Sequence, residues 1–215
     1  KEKLMSYIKK FGFGTKTGID LNGEGTGILF NLDKMGNVEL ATTAFGQGIS
    51  VTPIQQVQAV SAIINGGNLY SPFLVKNFLE PETNTIVKSV TAENKGTVIK
   101  KETSDLVRYA LESVVAKGSG HNAYIENYRI GGKTGTAQQG DRSKQKYTLS
   151  FIAYHSIEDP NIICLTLIHK PANYSDVGGA ATPVPMMKTL LEKIINYEAI
   201  PPDNDGKSGI AKVDT

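Results

Sequence analysis

Cysteine is nearly absent from this 215-residue chain, where Cys164 stands alone. One cysteine forms no internal disulfide, so the sequence holds no disulfide framework and gives no redox signal about compartment. It lies in Asn161-Ile162-Ile163-Cys164-Leu165-Thr166-Leu167-Ile168, an apolar run bounded by turn residues, where a thiol serves as a small core hydrophobe. Histidine is sparse too. His121, His155 and His169 are scattered without the spacing of metal ligands, and no metal site is expected. Concentrated basic runs are missing: the formal net charge is +2 and the lysines are spread along the chain. Aromatic residues do not interleave with basic ones, so nothing points to a nucleic-acid partner. No apolar stretch reaches bilayer length. No signal peptide opens the chain, because Lys1-Glu2-Lys3 already falls inside a helical pattern, and the N-terminus is expected to be a cut.

What is present fits a globular domain or most of one, with 40% hydrophobic and 20% charged residues. Leu4, Ile8 and Phe11 stand at helical spacing, and Phe11-Gly12-Phe13-Gly14 breaks that helix. The glycine-rich region that follows, to about Gly48, is expected to be poor in regular structure, as functional loops often are. Its Asp20 and Glu24 are expected to make structural turn contacts. Thr52, Pro53 and Gln55 spell a helix start with a capping box, and Asn65-Gly66-Gly67 ends that helix. Residues 73–78 and 85–90 predict a hairpin around Glu80-Pro81-Glu82. A helix is predicted over residues 102–117 with Leu106, Ala110, Leu111, Val114 and Val115 on one face, closed by Gly118 and Gly120. Three antiparallel strands follow, the last two over residues 148–154 and 162–169. A final helix begins near Thr182-Pro183 and runs through Met186, Leu190, Ile194 and Ile195. The class is α+β, with helices packed on a mainly antiparallel sheet and no internal repeats. Residues 1–199 are expected to form one domain portion, and 200–215 a polar linker or tail.

The first of those three strands is the most informative stretch: Gly131-Gly132-Lys133-Thr134-Gly135-Thr136-Ala137-Gln138. Strand alternation puts Thr134 and Thr136 on one face. Two hydroxyls beside an ammonium suit a carboxylate, and Gly135 lets a substrate backbone come close. The same alternation sends Lys133 to the opposite face. A local twist or the long lysine stem must bring its charge back.

Three strings together resemble class B penicillin-binding proteins. They are Phe11-Gly12-Phe13-Gly14 with Thr17-Gly18-Ile19-Asp20-Leu21, the run Phe45-Gly46-Gln47-Gly48-Ile49-Ser50-Val51-Thr52-Pro53-Ile54-Gln55, and the Lys-Thr-Gly strand. The resemblance extends from about Lys1 to Tyr197, and within the family residues 146–154 are most like a sporulation transpeptidase. It implies a β-lactamase/transpeptidase-like fold, incomplete on its N-terminal side. It also implies a serine nucleophile in Ser-x-x-Lys, then Ser-x-Asn, then Lys-Thr-Gly. No Ser-x-Asn occurs here, and both local Ser-x-x-Lys matches, at Ser6 and Ser143, are set aside. Ser6 falls after the expected place of the second motif, and Ser143 sits in a charged, solvated stretch.

The resemblance thus makes this chain the part of a peptidoglycan D,D-transpeptidase that supplies the substrate-side wall, with the nucleophile elsewhere. Thr134 and Thr136 would hold the terminal carboxylate of a D-alanyl-D-alanine stem peptide or a β-lactam. The Thr136 N–H would be an oxyanion donor, and Lys133 would supply positive potential and orient the second-motif serine. Gln138 either meets the ligand or faces solvent, and Tyr174 either lines the acyl pocket or sits in an exposed loop. No organic cofactor or metal is implied. The implied partners are the stem peptide, β-lactams, the missing N-terminal part of the domain and a membrane glycan polymerase. The implied location is the outer face of the cytoplasmic membrane, with an anchor outside this chain. A β-lactam-sensing receptor domain and a non-catalytic remnant are the alternatives.

Overall fold

Helix α1 spans Glu2–Lys10, with Met5 on its buried side and Glu2 in its first turn, where a carboxylate suits the helix dipole. The computed structural model describes residues 1–140, 146–171 and 183–203. The chain divides into two compact units, Lys1–Lys101 and Glu102–Thr215.

In the first unit, α2 covers Asn37–Ala44 and α3 covers Pro53–Ile64. The α3 start forms as its sequence spells it. The Gln55 N–H donates to Thr52 Oγ1 at 3.2 Å, and the Thr52 N–H donates to Gln55 Oε1 at 2.9 Å. Helix α2 and a 3-10 turn at Leu32–Lys34 correct the expectation of an irregular region. The α2 start is held by the Glu39 carboxylate, which accepts from the Gly36 N–H at 3.0 Å. Strand β1 (Asn68–Tyr70) pairs with β4 (Asn94–Thr97), and β2 (Asn77–Leu79) pairs with β3 (Ile86–Ser89), all antiparallel. The second pair is the expected hairpin, with its first strand beginning later than its sequence suggests.

Polar side chains hold the loops of this unit. Glu24 accepts from the Thr17 N–H at 2.6 Å, the Thr17 hydroxyl at 2.5 Å and the Gly18 N–H at 3.2 Å. Burial works to raise the Glu24 carboxyl, but these hydrogen bonds outweigh it and leave the group below the usual carboxylate range. Asp20 accepts from the Val75 and Leu74 N–H groups at 2.8 and 2.7 Å, which lowers its carboxyl. Buried Gln55 donates through Nε2 to the carbonyls of Thr15 and Thr26 at 2.6 and 2.9 Å.

In the second unit, α4 covers Lys101–Ala116, and α5 covers Pro183–Tyr197. Between them lie β5 (Ile130–Gln138), β6 (Tyr147–His155) and β7 (Ile162–His169), in the sheet order β5-β6-β7. Every pairing is antiparallel and the registers run without a shift. One sheet face contributes Ile130, Phe151 and Ala153 to a core completed by Val184, Met187, Leu191 and Ile195 of α5. Each large apolar side chain so buried stabilises the unit by about 1.5–3 kcal/mol.

Helix α4 departs from its apolar pattern. It buries Ser104, Arg108, Glu112 and Val115, while Leu106 is 72% exposed. The reason is an ion pair that no local pattern carries. Arg129 donates through Nε and Nη2 to the Glu112 carboxylate at 2.7 and 2.8 Å, and through Nη1 to Glu158 at 3.1 Å. Glu112 first, then Glu158, raise the guanidinium against the opposing effect of burial. On the same helix, the Arg108 carbonyl accepts from the buried Tyr154 hydroxyl at 2.8 Å. After α5 the chain returns to the start of β5. The Tyr128 hydroxyl donates to the Ile200 carbonyl at 3.0 Å, and the Arg129 N–H donates to the Asp203 carboxylate at 2.5 Å. Among the described residues, no helix is long and apolar enough to cross a membrane.

Candidate active site

Strand β5 carries the Lys-Thr-Gly string, and its geometry follows from the register with β6. Residues directly opposite in an antiparallel pair share a face. Thr134 faces Phe151, Thr136 faces Leu149 and Gln138 faces Tyr147, so these three side chains leave β5 on one side. Lys133 and Gly135, opposite Ile152 and Ser150, belong to the other side. The alternation read from the sequence therefore holds, with Lys133 and Thr136 exposed and Thr134, Gly135 and Gln138 half-buried.

The backbone adds a second alternation. The Arg129 carbonyl accepts from the Ser156 N–H, and the Gln139 N–H donates to the Lys146 carbonyl, so odd-numbered residues turn their backbone groups toward β6. Even-numbered residues turn theirs toward the outer edge of β5, an edge strand of the described sheet. The N–H and C=O of Thr134 and Thr136 point that way. Lys133 resolves the tension in its placement through its stem, since Nζ donates to the Thr134 carbonyl at 3.0 Å. The charge that alternation sends to one face is thus returned to the strand edge.

The glycines of the string fit around aromatic rings and a hydroxyl. A Cβ on Gly131 would stand 2.4 Å from the Tyr154 hydroxyl oxygen, and one on Gly132 would stand 2.6 Å from the Phe151 ring. On Gly135 it would meet Ser150 Oγ at 2.6 Å, a contact that rotation of the serine hydroxyl relieves, so the sheet tolerates a side chain here more readily than at Gly131 or Gly132. Ser119, from the turn after α4, places Oγ 3.1 Å from Thr134 Oγ1. The sequence reading did not single out Ser119; its one signal is a lone hydroxyl between Gly118 and Gly120.

Tyr174 and Ser143 lie outside the described residues. Ser6 is on exposed α1, where its hydroxyl donates to the Lys3 carbonyl at 2.8 Å. Cys164 is half-buried against the core, and burial raises its thiol, in keeping with a packing role. No cluster that could hold a metal occurs among the described residues.

The family model for the penicillin binding protein transpeptidase domain matches residues 1–192. This chain belongs to that family. It is 54% identical over 188 residues to stage V sporulation protein D of Bacillus subtilis, an alignment covering 86% of this chain and 29% of that protein. It is 31% identical over 172 residues to penicillin-binding protein H of the same organism, covering 74% of this chain and 24% of that one. In three dimensions it is similar to penicillin binding protein 3 of Mycobacterium tuberculosis in its apo form. The TM-score there is 0.83 with 26% identity, covering 94% of this chain and 48% of that one. The ampicillin complex of the same protein gives a TM-score of 0.81, at 26% identity and covering 95% and 48% of the two chains. The chain therefore spans less than a third of these curated relatives and about half of these solved chains. The helices and antiparallel sheets match a partial transpeptidase fold, as the sequence implied.

Proposed function

We propose that this chain is the C-terminal portion of the catalytic domain of a peptidoglycan D,D-transpeptidase that β-lactams acylate. The observation carrying this reading is the outer edge of β5. Along it the Lys133 ammonium returns to the Thr134 carbonyl, and Thr134 and Thr136 share one side of the strand. A substrate lying along that edge as an added strand brings its terminal carboxylate to the two hydroxyls and the ammonium.

In this reading the nucleophilic serine and the Ser-x-Asn motif belong to the portion of the domain outside this chain. The serine oxygen attacks the carbonyl carbon of the penultimate D-alanine as a base takes its proton. The Thr136 N–H and the serine's own N–H hold the resulting oxyanion, and losing one such donor costs about a hundredfold or more in turnover. The C–N bond breaks, the terminal D-alanine leaves with a proton, and the acyl group remains as a serine ester. An amine on a neighbouring stem peptide then attacks the ester, forming the crosslink and freeing the serine. Lys133 supplies positive potential and orients the second-motif serine. Gln138, on the same side as the threonines, extends the wall that meets the stem peptide, and Tyr174 lines the acyl pocket. The reaction requires no cofactor.

The name of the Bacillus relative supports a sporulation role, and the ampicillin complex of the Mycobacterium protein supports β-lactam binding. The proposal includes an extracytoplasmic site, a membrane anchor outside this chain and a membrane glycan polymerase as partner. The linker or tail expected from residue 200 is proposed only beyond Asp203, because Ile200 and Asp203 are bonded to Tyr128 and Arg129. Denatured intact mass of every polypeptide after incubation with benzylpenicillin tests the core of it. A penicilloyl adduct on a serine outside this chain is the expected result. An adduct on this chain would contradict the division of the site, and no adduct anywhere would favour a non-catalytic remnant. Acylation without transfer to an amine acceptor would favour a β-lactam sensor.

A further inference from the structure

We infer that Ser119 is a positioning residue for substrate binding: its hydroxyl fixes the side-chain rotamer and proton direction of Thr134, aiming the Thr134 O–H at the substrate carboxylate. This rests on the reading that Thr134 holds that carboxylate. The hydroxyl and methyl of a threonine are close in size, so packing alone distinguishes the two branches poorly. A hydrogen bond marks which branch is oxygen, and Ser119 Oγ stands 3.1 Å from Thr134 Oγ1 with either atom able to donate.

The carboxylate decides the direction. It has no proton, so Thr134 must donate its only one to it. The Thr134 oxygen is then left as an acceptor, which the Ser119 hydroxyl fills. The arrangement becomes a chain, Ser119 O–H to Thr134 Oγ1 and Thr134 O–H to carboxylate, in which each bond polarises the next. Without Ser119, the Thr134 side chain keeps its oxygen but loses the partner that holds it ready.

The fold sets this distance from a separate direction. At the end of α4 the N–H groups of Gly118 and Gly120 both donate to the Val114 carbonyl, at 3.1 and 3.0 Å, and the His121 N–H donates to the Gly118 carbonyl at 3.1 Å. Gly120 is buried, and a Cβ there would sit 3.2 Å from the Phe151 ring. The same ring lies under Gly132 in β5. One fully buried side chain therefore touches both the turn that carries Ser119 and the strand that carries Thr134. Ser119 itself is exposed, so its placement does not serve burial and its removal should leave the fold intact.

Carboxylate contacts formed equally in the bound and transition states alter binding and leave the chemical step unchanged. The test is stopped-flow acylation of the full-length protein by a fluorescent penicillin, resolving the dissociation constant of the first complex from the acylation rate constant. Ser119→Ala should raise the dissociation constant about 3–10-fold, the range of one hydrogen bond, with the rate constant unchanged within about twofold. Ser119→Thr keeps the hydroxyl and should restore binding. In a Thr134→Ala background, Ser119→Ala should have no further effect, because the group it positions is gone. An equal effect in both backgrounds, an effect confined to the rate constant, or no effect at all would overturn the role. Absence of acylation in the unaltered protein would instead overturn the transpeptidase reading beneath it.

Discussion

The two units of this chain are held together by different physics. In Lys1–Lys101 a small apolar cluster of Ala62, Leu69 and Val98 is supplemented by carboxylates and amides that reach across long loops and take backbone N–H and C=O groups as partners, as Glu24, Asp20 and Gln55 do. In Glu102–Thr215 a continuous apolar layer joins the three-stranded sheet to α5, and the ion pair of Arg129 with Glu112 is added to it. Directional clamps hold irregular backbone in one shape but depend on single atoms. An apolar layer spreads its contribution over many contacts and leaves a rigid sheet whose edge can be offered to a ligand. The candidate site lies on the second kind of support.

The largest effect should come from the polar element of the apolar unit. Glu112→Ala removes the bidentate partner of the Arg129 guanidinium and leaves it only Glu158, so the cost should fall at the low end of the range for breaking a buried pair, about 3 kcal/mol. Urea denaturation followed by circular dichroism measures it. A loss below about 1 kcal/mol would show that the apolar layer suffices alone. Next comes Gln55→Ala in the clamped unit, which strips the Thr15 and Thr26 carbonyls of their donor and should lower stability by about 2–3 kcal/mol in the same assay.

The smallest effect is acid sensitivity, since Asp20 is exposed and Glu24 only half-buried. Both carboxyls titrate below their ordinary values in the folded chain, so the unfolded chain binds more protons as pH falls. Their contribution is complete above the ordinary carboxylate value of about 4 and disappears as pH drops through the lowered folded values. Amide hydrogen exchange between about pH 6 and 3 should show the Thr17, Leu74 and Val75 amides opening before those of β6. Glu24→Gln should flatten that dependence at Thr17. Simultaneous opening of β6 would erase the contrast between the units.

What the sequence revealed follows the range of each interaction. The α3 start was legible because Thr52 and Gln55 are three residues apart, and the sheet because β5, β6 and β7 follow one another along the chain. Strands β1 and β4 were not legible. Asn94-Lys95-Gly96-Thr97 has no apolar alternation, and its partner lies more than twenty residues back. The buried side of α4 was misread because Glu112 faces inward for Arg129, a partner that periodicity cannot show. At the site, the two threonines and the lysine were legible from alternation. Ser119 was not, because its meeting with Thr134 depends on how α4 ends and on the Phe151 ring beneath the turn.

The return of residues 200–203 to the base of β5 has a mechanical side. Tyr128, Arg129 and Asn127 hold Ile200 and Asp203 through hydrogen bonds, and Ile200 also packs against the core. Tension on the chain beyond Asp203 meets these bonds before it reaches the apolar grip on α5. The first element to feel that pull is the strand whose fourth residue is Lys133.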